Sequence, residues 1–184
     1  MARELGEELA RRGLALCNGG YGGTMEAAAE GARLQGGHTI GVTLSSRRRA
    51  KANESILEAD PQPDLLSRIR RLIERGDGYV VLAGGTGTLA ELGPLLELIG
   101  KRHVEGKPIV LLGSFWGPLL ELLAKEKVLC RRSEFTPVAG VTMMGEVART
   151  ESPEAVARYL ALNLMGREDR GRPAVHGPAP GCNQ

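Results

Sequence analysis

The chain has 184 residues, which suits one domain with a sizeable core. Hydrophobic residues make up 42% and charged residues 25%, an ordinary balance for a soluble globular protein, and a net charge of +2 sets up no field for a polyanion. Cys17, Cys130 and Cys182 have no metal-ligand spacing and point to a reducing, cytosolic compartment, with Cys17 as a small buried hydrophobe. No apolar run approaches the roughly 18 residues a membrane span needs, and no signal sequence is recognisable at the start.

Residues 2–12 carry Leu5 and Leu9 at helical spacing among charges, and Gly13 ends that predicted helix. LALC (14–17) reads as a short buried strand, followed by the glycine cluster NGGYGG and a small-residue helix from Thr24 to Leu34. HTIGVTL (38–44) is the next strand, and the polar stretch after it, with Arg47, Arg48, Arg49 and Lys51, is expected as a loop. From Pro63 to Arg75, Leu65, Leu66, Ile69, Leu72 and Ile73 form one helical stripe. GYVVLAG (78–84) is a strand, a Leu-rich helix runs to about Gly100, PIVLLG (108–113) is a strand, and 118–127 is a helix. Ser152-Pro153-Glu154 combines a capping hydroxyl, a proline at the first helical position and an anion in the first turn, which starts the last helix.

Strands alternating with helices predict an α/β domain: a Rossmann-like, doubly wound parallel sheet with its ligand beyond the strand carboxyl ends. Residues 1–165 form that domain in this reading, and 166–184, rich in Arg, Gly and Pro, a disordered tail. The chain opens in a helix, whereas such sheets normally begin with a strand that becomes central, so either the start is misassigned or the protein manages without that strand.

Two segments pass from strand through a glycine cluster into a helix: LCNGGYGGTMEA (16–27) and LAGGTGTLAEL (82–92). Such turns aim backbone N–H groups and the positive end of a helix at one point, which favours a phosphate. The candidate phosphate ligands are Gly19, Gly20 and Gly23 in the first loop and Gly84, Gly85, Thr86, Gly87 and Thr88 in the second. Each loop taken alone also fits a plain βα turn. The second loop lacks the G-K-[ST] of a P-loop. Residues 85–90 fit G-x-G-x-x-A, but the next strand ends Leu112-Gly113-Ser114 without the acid that would hold a dinucleotide's ribose.

GDGYVVLAGGTGTLAEL resembles the PGGxGTxxE signature of the LOG (Lonely Guy) family through Gly84, Gly85, Gly87, Thr88 and Glu91. NGGYGGTMEAAAEGARLQGGHTIGV and KPIVLLGSFWGPLLELL are similar to that family's first loop and post-site segments, so the likeness covers most of residues 5–165. The resemblance implies a nucleoside 5′-monophosphate phosphoribohydrolase that releases a free base and ribose 5-phosphate from AMP-like nucleotides. It implies a glutamate on the motif helix, Glu91, acting with an arginine on the preceding helix, which falls on Arg68. Periodicity alone leaves Arg68 and Arg70 equivalent, on opposite edges of the apolar stripe, and sets Arg71 in solvent. The resemblance also implies a homodimer, with no cofactor and no metal. Glu91 has a second reading as the closing acid of a capping box that starts at Thr88, and Arg68 a second reading as a surface arginine.

Four departures from the family pattern stand out. Ala83 replaces the usual proline, and Leu65-Leu66 and Ile69 replace the Met-His and Lys that flank the arginine. Pro94 interrupts the motif helix and predicts a kink beyond Glu91. The family's first strand, which contributes a Gly-Ser turn, has no counterpart. One rival reading is a non-catalytic carrier of nucleotide or molybdenum cofactor on the same fold. DNA binding is disfavoured by the near-neutral charge. Lysine decarboxylation, a label often attached to such sequences, needs a cofactor-bearing lysine, and Lys51, Lys101, Lys107, Lys125 and Lys127 all lie outside the glycine loops. His38 and His103 have no partners at catalytic spacing.

Overall fold

The computed structural model describes residues 1–45, 51–100, 107–125, 142–144 and 147–168. Its elements in chain order are α1 (Ala2–Arg11), β1 (Leu16–Asn18), α2 (Thr24–Leu34), β2 (Thr39–Leu44), β3 (Glu58–Gln62), α3 (Leu65–Arg75), β4 (Tyr79–Val81), α4 (Thr86–Gly100), β5 (Ile109–Leu112), α5 (Gly117–Lys125), β6 (Thr142–Met144), β7 (Val147–Thr150) and α6 (Pro153–Glu168). The fold is α/β and Rossmann-like, as expected. Strands β1, β2 and β3 form one sheet in that order, and β4, β5, β7 and β6 a second. Every pairing is parallel except β6 with β7.

The strand β5 shows how the layers are built. Ile109 and Leu111 join Ile69, Ile73, Leu92, Leu95 and Leu120 of α3, α4 and α5 in one cluster. Val110 and Leu112 point the other way, onto Leu5 and Leu9 of α1 and Val156, Tyr159 and Leu160 of α6. Alternate side chains of a strand face opposite sides, so an unbroken apolar run signals burial on both faces. Against α1, α2 packs backbone to backbone: a methyl group on Gly6 would strike the Ala28 carbonyl, and one on Gly31 the Arg3 carbonyl.

The sheet is in two parts among the described residues. Among the described residues β1 and β4 each have one neighbour and do not pair with each other, yet Leu14 and Leu16, before and in β1, and Val80 and Leu82, in and after β4, pack against the same α1–α6 cluster. The helical layer therefore spans the break in the sheet. Residues of β1 are only half-buried, whereas β5 is buried throughout.

Three strands escaped the sequence reading. β3, with sequence EADPQ, was expected as loop because it has no apolar alternation and contains Pro61. It pairs only with β2, and an edge strand tolerates a residue that cannot donate on its free side. On one face, Glu58 and Asp60 meet Arg71 and Arg75 of α3, and Gln62 donates to Asp60. β6 and β7 are too short to raise a pattern. The helix α4 runs through Pro94 without interruption. The last helix extends to Glu168, past the expected tail boundary at 166, and the remainder of that tail lies outside the described residues, as do Arg47, Arg48, Arg49 and His103. No helix among the described residues is long and apolar enough to cross a membrane.

Candidate active site

The first glycine loop, β2 and α4 all meet one side chain, Arg68. Its helix α3 opens with Asp64, whose carboxylate accepts from the Ser67 backbone N–H at 2.9 Å, a normal amino-terminal cap. Helical spacing then places Arg68 with Ile69 on the buried face, while Arg70 is exposed. Arg68 is 8% exposed. Its Nε donates to the Val42 carbonyl at 2.8 Å and its Nη1 to Glu91 Oε1 at 3.1 Å. A methyl group on Gly19 would collide with Arg68 Nη2, so that glycine is the floor on which the guanidinium lies. The Tyr21 ring faces the same group, with Cζ 5.4 Å from the ring centroid. The structure thus separates Arg68 from Arg70, which periodicity could not do.

The loop before α4 is open where a ligand would approach. Gly85, Thr86 and Gly87 are exposed, and space is free above Gly85 and Gly87. Thr88 folds its hydroxyl back over Gly84, where a methyl group would collide with Oγ1, so the turn is as tight as the residue types allow. The first helical bond runs from the Leu89 N–H to the Gly85 carbonyl at 3.1 Å. The N–H groups of Thr86, Gly87 and Thr88 therefore head the helix unpaired, and its first turn holds no acid. Thr88 lies inside the helix rather than at its cap, and Glu91 bonds Arg68. The capping-box reading of Glu91 does not hold for this reason.

The first loop is built differently. Gly19 and Gly20 are buried, and the Gly20 N–H donates to Asn18 Oδ1 at 2.8 Å. Asn18 also donates to the Met25 carbonyl at 2.9 Å, and Asn53 donates to the Tyr21 carbonyl at 2.9 Å. Gly20 and Gly23 hold positive φ of 74° and 73°, which side-chain-bearing residues rarely adopt. Glu26 already sets a negative charge in the first turn of α2. Of the two helix starts, α4 alone has no acid in its first turn, while in the first loop Gly19 lies against the arginine and Gly20 against Gly41 and Thr43 of β2.

Burial pushes the Glu91 carboxyl above the usual carboxylate range, and the neighbouring Arg68 charge and hydrogen bond pull it back only in part. The Trp116 indole donates to the Leu82 carbonyl at 2.9 Å, which ties the end of β4 just ahead of the glycine turn. Tyr21, Asn18, Asn53 and Trp116 were all missed in sequence. The sole signal was that Trp116 and Tyr21 are among few aromatics, which make up 3% of the chain. Arg71, expected in solvent, instead pairs with Asp60 at 2.7 Å because β3 brings that acid beside it. His38 lies 3.2 Å from Glu58 on the surface. Burial raises the Cys17 thiol to about 11, consistent with an unreactive half-buried side chain. Among the described residues no group of three or more His, Cys, Asp or Glu could hold a metal.

Fold and site define a Rossmann-like protein that gathers two glycine loops around one arginine–glutamate pair. The family model described as "Possible lysine decarboxylase" matches residues 25–151, and the chain belongs to that family, the LOG family. It is 32% identical over 130 residues to the probable cytokinin riboside 5′-monophosphate phosphoribohydrolase LOGL2 of Oryza sativa subsp. japonica, covering 67% of this chain and 52% of that protein. It is 34% identical over 119 residues to the cytokinin riboside 5′-monophosphate phosphoribohydrolase of Mycobacterium tuberculosis, 64% and 63% of the two chains. The chain thus spans about half the length of the rice relative. Among solved structures, the molybdenum cofactor carrier protein of Chlamydomonas reinhardtii aligns with a TM-score of 0.63 at 25% identity, covering 90% of this chain and 87% of that one. The molybdenum cofactor binding protein of Rippkaea orientalis aligns at 0.62 and 25%, covering 85% and 82%. The decarboxylase wording finds no support in the described lysines. Lys107 donates to the Ile73 and Glu74 carbonyls at the far end of α3, and Lys51 is exposed.

Proposed function

We propose that the chain hydrolyses the N-glycosidic bond of nucleoside 5′-monophosphates, with Arg68 and Glu91 as the catalytic pair. Water adds at C1′ as the C1′–N bond breaks, giving ribose 5-phosphate and a base that leaves with a proton. The 5′-phosphate sits on the unpaired N–H groups at the head of α4, so the ribose is held over the next turn of that helix. Glu91 occupies that turn. As the base departs, positive charge builds on the ribose, and the carboxylate stabilises it and accepts a proton from the attacking water. Arg68 keeps Glu91 ionised and aimed, and its Nη2 retains donors for the substrate.

The observation that carries this reading is the 3.1 Å contact between Arg68 and Glu91, one turn past a helix start with no acid of its own. A carrier needs the anion site but has no use for a half-buried carboxylate facing it. The names of the relatives in rice, Mycobacterium tuberculosis and Escherichia coli, the last a pyrimidine/purine nucleotide 5′-monophosphate nucleosidase, agree with hydrolysis. A homodimer in the cytoplasm, with no cofactor and a single domain over 1–165, completes the proposal. Purified protein incubated with a panel of nucleoside monophosphates should release ribose 5-phosphate from at least one. No release from any of them, together with tight binding of a phosphate-bearing pterin, would establish the carrier reading suggested by the molybdenum-cofactor structures.

A further inference from the structure

We propose that Tyr21 is a positioning residue, whose ring is clamped at both ends and fixes the Arg68 guanidinium in the orientation that meets Glu91. Three independent contacts define the clamp. The Leu44 backbone N–H donates to the Tyr21 hydroxyl at 2.8 Å, at the end of β2. The Tyr21 carbonyl accepts from Asn53 Nδ2 at 2.9 Å, and Asn53 also donates its backbone N–H to the Gly20 carbonyl at 2.8 Å. Between these anchors the ring presents its face to Arg68 Cζ at 5.4 Å. A ring tethered at its hydroxyl and its backbone cannot swing away, so its face is a fixed surface of negative potential under a cation.

Arg68 needs such a surface. Its guanidinium carries five N–H donors, but the described residues accept only from Nε and Nη1, through Val42 and Glu91. Two bonds on adjacent nitrogens set the plane of the group loosely, and a side chain of this length has many rotamers to lose. Gly19 closes one side of the plane and Tyr21 faces the group from the same loop. The first glycine loop therefore acts on catalysis through the arginine rather than by touching the substrate. Among the groups packed around this pair, Arg68 is the one charge acting on Glu91. The first loop brings Gly19 and the Tyr21 ring, and β2 brings the Val42 carbonyl.

The effect on rate rests on the hydrolase reading above, whereas the effect on the Glu91 carboxyl does not. The experiment compares the parent, Tyr21→Phe, and a protein carrying pentafluorophenylalanine at position 21. The last two have the same shape, and fluorination reverses the electrostatics of the ring face, so folding is preserved while the attraction is lost. Two readouts are taken: kcat/KM against pH with AMP, and the Glu91 carboxyl titration by carbon-13 NMR without nucleotide, assigned with Glu91→Gln. Tyr21→Phe keeps the ring face and gives up only the hydroxyl tether, so it should lower kcat/KM about threefold, with a Glu91 midpoint between those of the parent and the fluorinated protein. The fluorinated ring should lower kcat/KM at neutral pH about tenfold and raise the Glu91 midpoint, as the arginine leaves its post. An unchanged midpoint with the fluorinated ring overturns the proposal, and so does an equal loss in Tyr21→Phe, which would assign the role to the hydroxyl. If the parent hydrolyses no nucleotide but the midpoint still moves as described, the positioning role stands and the hydrolase reading falls.

Discussion

Glu91 is subject to opposing influences, and their balance decides how the site responds to pH. Burial disfavours its charged form, Arg68 favours it, and burial wins, so its carboxyl titrates above the ordinary value of 4.5. Activity that needs the carboxylate should therefore fall as pH drops through a midpoint above 4.5, and a kcat/KM profile that stays flat down to that value contradicts the assignment. A carboxyl whose folded-state pKa is raised helps folding at pH below its unfolded value and loses that contribution as pH rises through the folded one. At pH 7 the ionised Glu91 is thus a burden on stability, held for function. In Glu91→Gln the amide oxygen can still accept from Arg68, so the melting temperature at pH 7 should equal or exceed that of the parent.

At the scale of elements, β3 explains why part of the chain was unreadable in sequence. Hydrophobic alternation identifies strands whose inner face is apolar. The inner face of β3 is Glu58 and Asp60, satisfied by Arg71 and Arg75 of α3, with Asp60 2.9 Å from Arg75 Nη1 and Glu58 2.7 Å from Arg75 Nη2. Desolvation pushes the Asp60 carboxyl up, but the two arginine hydrogen bonds and charges outweigh it and hold it below 3.8. The stabilisation is present above the unfolded value and is lost as pH falls through the folded one. Asp60→Asn should cost roughly 1–2 kcal/mol at pH 7, since the network is only partly buried, and the deficit in urea unfolding should shrink below pH 3.8. A deficit that persists unchanged in acid would show that shape, not charge, is what Asp60 supplies.

The α1–α2 contact is governed by different physics. Gly31 sits where any side chain would meet the Arg3 backbone carbonyl, so the helices must part to admit a methyl group. Gly31→Ala gains helix propensity but should lose roughly 2–4 kcal/mol overall, with the denaturant m-value unchanged. A neutral or stabilising result would mean that the two helices can slide freely. This packing was only half legible: Ala27, Ala28, Ala29 and Ala32 announced a close approach, but not that α1 would be the partner.

For the whole molecule, the sequence carried the α/β alternation and, through the resemblance, the contact between Arg68 and Glu91, and it did so for separable reasons. Glycine clusters after apolar runs locate strand ends directly, because both features are local. Choosing Arg68 over Arg70 required the resemblance, since the choice depends on Val42, Gly19 and Glu91 from three other elements. Tyr21, Asn18 and Asn53 were invisible for the same reason: their role lies in contacts between distant segments. Among the described residues β1 and β4 do not pair, and α1 and α6 pack against residues at both.

In the proposed reaction a phosphate is anchored at the start of α4 and a carboxylate one turn beyond it acts on the sugar. The most direct measurement is base release from AMP by Glu91→Gln beside nucleotide binding by the same protein. The account predicts a loss in kcat of at least about 1000-fold with the AMP dissociation constant within about threefold of the parent. A variant that hydrolyses AMP at the parental rate, or that loses binding and turnover together, contradicts it.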